Sequence, residues 1–172
     1  MNHRMTLVAI SATLLAMAPA WGNEASAPAP SKPPIDALNT HLGGFHFANG
    51  DVKNRVEAHH YCASPSDEFA QCVIYDGNSL NAKIIGIEYI IGEKLYKDLP
   101  ASEKALWHSH AEEVKSGQLT APGIPEFAEK LLMKKLVNSY GRTWHTGVAN
   151  QHRALSSGSP QLMGSAAVQG TR

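Results

Sequence analysis

The chain has 172 residues, enough for one domain with a substantial core. Its 15 Lys and Arg balance 15 Asp and Glu, and the sequence pI is about 7.1. That balance excludes the basic excess that a nucleic-acid-binding surface requires. Nine histidines are many for this length, and they would gain charge as the pH falls toward about 6.

Residues 1–20 are predicted to be a signal peptide. His3 and Arg4 supply a positive start, Met5 to Leu15 an apolar run, and Ala18-Pro19-Ala20 a small-residue cleavage site. The run is too short to span a bilayer, so the mature chain is expected to carry no transmembrane segment and to be periplasmic or secreted. Residues 21–34 are an Ala- and Pro-rich linker. The domain is expected over 35–163, with a flexible tail at 164–172.

Asp36 to Leu42 is expected to be a short helix ending at Gly43-Gly44. Phe45-His46-Phe47 alternates, and Asn49-Gly50-Asp51 marks a turn. Arg55 to Cys62 is expected to be a strand with His59 and Tyr61 on one side and His60 and Cys62 on the other. Gln71 to Tyr75 and the strongly apolar Lys83 to Ile91 continue an antiparallel meander, with Gly86 marking a bulge or a close backbone approach. Cys62 and Cys72 form either a disulfide across the Ser64-Pro65-Ser66-Asp67 turn or two separate buried thiols.

Glu93 to Trp107 is expected to be helical, and the stretch through Gly117 partly extended. Pro125 opens a clear helix over Glu126 to Tyr140, with acids early, Lys134 and Lys135 late, and Gly141 beyond. Phe127, Leu131, Leu132, Leu136 and Tyr140 are its expected buried stripe. Thr143 to Thr146 is a short last strand. The pattern predicts an α+β fold, a mainly antiparallel β-sheet with two principal helices packed on it.

The chemistry concentrates in Trp107-His108-Ser109-His110 and in Glu88, a carboxylate inside an apolar strand. A buried charge needs a partner, and imidazole is a common one and a common metal ligand. The candidate metal ligands are His59, His60, His108, His110 and His145, for a divalent ion such as Zn. Glu88, Trp107 and Trp144 are candidate walls of a ligand pocket. The plainer alternative is a polar layer of mutually bonded histidines. No nucleophile elbow, phosphate loop or dinucleotide fingerprint is present, and no catalytic residue is assigned.

Several blocks together resemble one family. They are Thr40 to His46, Val56 to Cys62, Gln71 to Asp76, Gly86 to Ile91, Leu106 to His110, Glu113 to Leu119, Pro122 to Pro125, Leu136 to Gly141 and Thr143 to Thr146. In this order they are similar to the oil-body-associated proteins, a family with no assigned molecular activity. The resemblance implies an association with lipid surfaces and carries over no catalytic residue. Gly147-Val148-Ala149-Asn150 departs from the family's pattern, whereas Pro160 to Met163 returns to it.

The function expected is that of an exported, non-enzymatic protein whose His-rich face binds a metal ion or a small apolar ligand. One alternative is a structural protein of a lipid surface or envelope. Another is a hydrolase or isomerase with His108 or His110 as general base, oriented by Glu88 or Glu112.

Overall fold

The computed structural model describes residues 32–48, 55–147 and 158–164. The expected signal peptide, most of the linker, the turn at Asn49 to Asp51 and the tail beyond Gly164 lie outside the described residues.

A short 3-10 turn, Pro34–Ala37, leads into β1 (Thr40–Ala48). The helix expected to reach Leu42 therefore gives way to a strand, because Leu42 and His46 point inward and the strand pairs with β2 (Arg55–Ser66). Leu42 lies opposite His60, and Gly44 opposite Ala58. β2 continues into β3 (Phe69–Tyr75), and β3 pairs with β4 (Ile84–Gly92). Cys62 and Cys72 face each other across β2 and β3 and form a disulfide with S–S 2.02 Å.

Two short helices follow, α1 (Glu93–Asp98) and α2 (Ala101–Lys104). They were expected to be one helix, but Leu99 is extended ahead of Pro100, as the steric demand of a following proline requires. Next come β5 (His108–Ser109), α3 (Ala111–Lys115), α4 (Glu126–Leu136), β6 (Ser139–His145) and β7 (Gln161–Gly164). β4 pairs with β6 along its length, with Glu88 opposite Thr143. The other edge of β6 is shared between β5, at Tyr140 and Gly141, and β7, at Thr143 to His145. β7 also pairs with the end of β1.

Among the described residues, six antiparallel strands thus close in the order β1-β2-β3-β4-β6-β7 into a barrel. This overturns the expected α+β fold with two principal helices. An open sheet needs helices to cover its apolar face; here the sheet curls round and covers that face with its own far strands. Gly86 permits the closure, since a Cβ there would lie 2.2 Å from the Trp144 carbonyl oxygen.

The helices sit outside as short caps. Among the described residues α4 is the longest, and Leu136 is its one buried residue, with Leu132 and Met133 partly buried against the core. Phe127 and Leu131, expected in the buried stripe, are 70% and 66% exposed. Tyr140 is in β6, not α4, and stacks on Tyr96 at 3.6 Å.

The interior is layered. Leu42, Cys62, Cys72, Ile90, Leu119, Ala121 and Leu136 form one apolar cluster, and Ala58, Ile74 and Ile85 another. Along β2 the inward residues run Ala58, His60, Cys62; along β4 they run Ile85, Glu88, Ile90. A polar layer therefore lies between the two apolar ones.

Candidate metal centre

Glu88 is at the middle of that layer and is 2% exposed. A strand otherwise of isoleucine, tyrosine and glycine projects it inward by period-2 alternation with Gly86 and Ile90. One carboxylate oxygen, Oε2, accepts from His60 Nε2 at 2.9 Å. The other, Oε1, faces His110 Nε2 at 3.2 Å and His108 Nε2 at 3.7 Å. On the far side, His60 Nε2 is 3.1 Å from His46 Nε2, and His46 Nδ1 is 2.9 Å from His145 Nε2.

The elements explain these positions. β2 delivers His60, β5 delivers His108, and the turn into α3 delivers His110, whose amide donates to the Ser139 carbonyl at 3.1 Å. Gly141 makes the meeting possible. It lies opposite both Ile90 and His108, and a Cβ there would sit 2.0 Å from Glu88 Oε1 and 2.7 Å from His110 Nε2.

The tautomer of His110 follows from its neighbours. The Ser139 hydroxyl has one hydrogen, which it donates to the Leu136 carbonyl at 2.8 Å. Its oxygen must therefore accept from His110 Nδ1–H at 2.8 Å. A neutral His110 then turns its Nε2 lone pair toward a carboxylate oxygen, which only a cation between or on those atoms makes favourable. A proton is one such cation and a metal ion is another.

Electrostatics agree with that picture. Burial pushes the Glu88 carboxyl up, but the charge and hydrogen bonds of His60 and His110 outweigh it and hold it well below its usual range. Burial opposes a charged His110, yet the Glu88 hydrogen bond and charge, with help from Glu113, raise its pKa. His46, His108 and His145 are instead held neutral. Burial brings His108 and His145 down to about 4 and His46 well below its ordinary value. Burial also lifts Glu113 to about 7.

Two sets of donors share Glu88: His46 with His60, and His108 with His110, each set lying within 4.8 Å. Bonds of 2.0–2.1 Å from a tetrahedral ion place its donors about 3.3–3.4 Å apart, and 3.2 and 3.7 Å bracket that spacing. A cavity of about 10 Å³ remains among His46, His60, Glu88, His108, His110 and Glu113, room for about one water-sized occupant.

Of the residues singled out in the sequence, the fold brings His60, Glu88, His108, His110 and His145 into this layer. It does not bring His59, which points out of the barrel toward His41 and Glu57. Trp144 is on the outer face against Tyr89 and Arg142. Trp107 is half-buried beside His108, and its Nε1 has no partner among the described residues. His46, Glu113, Ser139 and Gly141 were not foreseen. The Phe45-His46-Phe47 alternation held a signal for His46, and Glu113 lies in the His- and Glu-rich stretch beside His110; nothing local marked Ser139 or Gly141.

The profile of a family described as protein of unknown function (DUF1264) matches residues 32–172, most of the chain. The chain belongs to this family, that of the oil-body-associated proteins. It is 42% identical over 130 residues to oil body-associated protein 1B of Arabidopsis thaliana and, equally, to oil body-associated protein 1A of Zea mays. Those matches cover 76% of this chain and 54% and 55% of the relatives. The chain thus spans about half the length of these oil-body-associated proteins. Oil body-associated protein 2C of Arabidopsis thaliana is 39% identical over 130 residues. No solved structure matches the chain significantly. Among the described residues no helix is long and apolar enough to cross a membrane.

Proposed function

We propose that the barrel interior binds one divalent transition-metal ion, in the first place Zn(II), on Glu88 Oε1, His108 Nε2 and His110 Nε2. The observation that carries this reading is the convergence of His108 Nε2 and His110 Nε2 on Glu88 Oε1, with Ser139 holding a His110 proton on Nδ1 so that Nε2 is the nitrogen left to meet a proton or a metal ion. His60, donating to Glu88 Oε2, supplies the outer support that orients a ligating carboxylate. Three protein donors leave a fourth position for water or a ligand atom. Imidazole with carboxylate suits zinc better than calcium or magnesium, which prefer oxygen.

Zinc titration of the metal-stripped protein, read by competition with a chromophoric chelator, tests it. Wild type is expected to bind one equivalent. Glu88→Gln and His110→Ala should each weaken binding at least 100-fold, and His60→Ala about 10-fold. One equivalent held with unchanged affinity by Glu88→Gln and His110→Ala would sink the assignment.

A second reading, docking on a lipid surface, is favoured by α4 and by Ile124, two residues ahead of it. Ile124, Phe127 and Leu131 are 42%, 70% and 66% exposed, with Lys130 and Lys134 beside them. An apolar helix face flanked by lysines is the chemistry of an interfacial helix. Phe127→Asp with Leu131→Asp is expected to abolish flotation with phosphatidylcholine-coated triolein droplets; flotation equal to wild type excludes this face. For the compartment, the Cys62–Cys72 disulfide favours an oxidising one. Recovery of both thiols free in protein alkylated inside intact cells would count against it.

A further inference from the structure

The outer wall of the barrel carries a second group of metal-ligating side chains, distinct from the interior centre. His41 on β1 and His59 on β2 project outward from the strands whose inward neighbours are Leu42 and His60. His41 Nε2 lies 2.9 Å from His59 Nδ1, and His59 Nε2 lies 2.9 Å from Glu57 Oε1. Gly43 is directly opposite His59 and has no side chain to cover it; a Cβ there would be 4.0 Å from His59 Nδ1 and 3.4 Å from Thr120 Oγ1. The His41 ring lies flat on Tyr61, with ring centroids 4.8 Å apart and planes parallel.

The protons in this chain can be assigned. The Glu57 carboxylate only accepts, so His59 donates from Nε2–H and keeps its lone pair on Nδ1. His41 then donates from Nε2–H to His59 Nδ1 and keeps its own lone pair on Nδ1. His59 is thus already in the tautomer a ligand needs, held by a carboxylate on its other nitrogen, which is the usual support of a ligating histidine. For His41 to join, its proton moves from Nε2 to Nδ1, and no net proton is released.

We infer that His41 Nε2 and His59 Nδ1 form an exterior site for a tetragonal divalent ion, Cu(II) or Ni(II), with Glu57 positioning His59. The geometry separates this site from the interior. Nitrogens 2.9 Å apart subtend about 90° at an ion about 2.05 Å from each. That is the cis angle of a square-planar or tetragonal complex, which copper and nickel prefer and tetrahedral zinc does not. The space over Gly43, bounded by the Thr120 hydroxyl, leaves the remaining positions to oxygen from water or Thr120.

The test is Cu(II) titration of the full chain followed by electron paramagnetic resonance. Copper would also occupy the interior donors in wild type, so the titration is read in Glu88→Gln, which is expected to give a tetragonal spectrum with coupling to two nitrogens. Adding His41→Ala or His59→Ala should lose that spectrum and at least tenfold in affinity. Glu57→Gln should weaken binding 10- to 100-fold with circular dichroism unchanged. A two-nitrogen spectrum that survives when His41→Ala or His59→Ala is added to Glu88→Gln overturns the inference, as does the absence of Cu(II) binding by Glu88→Gln at micromolar concentration. A spectrum lost in Glu88→Gln and retained in His41→Ala would place copper in the interior, overturning this site while leaving the interior centre standing.

Discussion

Glu88 and Gly141 form a complementary pair: one supplies the charge around which the histidines gather, and the other the space in which they do so. A Cβ at position 141 would meet Glu88 Oε1 at 2.0 Å and His108 Cε1 at 2.8 Å, and the buried Glu88 carboxylate is held in place by His60 and His110. Gly141→Ala is therefore expected to destabilise the metal-free protein by at least about 2 kcal/mol, measured by urea unfolding. Gly77→Ala, where a Cβ meets nothing within 4 Å, should stay within about 0.5 kcal/mol. Equal effects at the two positions would refute this account. Glu88 was legible in the sequence because a carboxylate inside an isoleucine strand needs a partner. Gly141 was not, because its role depends on which strands face it, and that register is set by closure of the barrel.

At the level of elements, the sequence located the β2, β3 and β4 strands well, since alternation and turn residues are local signals. The helices were read too large. A 3.6-residue pattern marks apolar positions but not whether anything will cover them. In α4 the pattern includes Phe127, Leu131, Leu132 and Leu136, yet only the last two meet the core. Leu136→Ala is expected to cost about 2–5 kcal/mol. Replacing Phe127 and Leu131 together by Ser should change stability by less than about 0.5 kcal/mol each. Thermal melts of the two variants separate a core helix from one whose outer face is held for another use.

For the molecule as a whole, the buried titratable groups make stability depend on acidity in a definite direction. His46, His108 and His145 have lower pKa values folded than the ordinary 6.5, each chiefly through burial. Unfolding between about pH 4.5 and 6.5 therefore takes up to three protons on these rings. Glu113, raised by burial from 4.5 to about 7, releases one on unfolding across the same range. His110, raised above 6.5, acts mainly at higher pH, where its stabilisation fades as its own proton leaves. Three taken up against one released leaves about two, so the metal-free protein should lose stability steadily as the pH falls from 6.5 to 4.5. A flat or opposite slope in urea midpoints would contradict this charge pattern. The disulfide adds an independent increment. Closing a loop of separation 10, it should contribute about 2–3 kcal/mol, lost on reduction or in Cys62→Ser with Cys72→Ser.

The shared edge of β6 has a kinetic consequence. Glu88 and His60 belong to long ladders, whereas His108 sits on β5, which pairs with β6 through two residues only. His110 follows directly and is tied to the same strand through Ser139. An ion reaching Glu88 has a short route where this segment lifts from β6, since the β1–β2, β2–β3, β3–β4 and β4–β6 walls would require many paired residues to part. Loading and release would then be limited by the opening rate of residues 106–119, and a bound ion would latch that segment shut. Hydrogen exchange should show those amides as the barrel's quickest to exchange without metal and the most slowed once zinc is present.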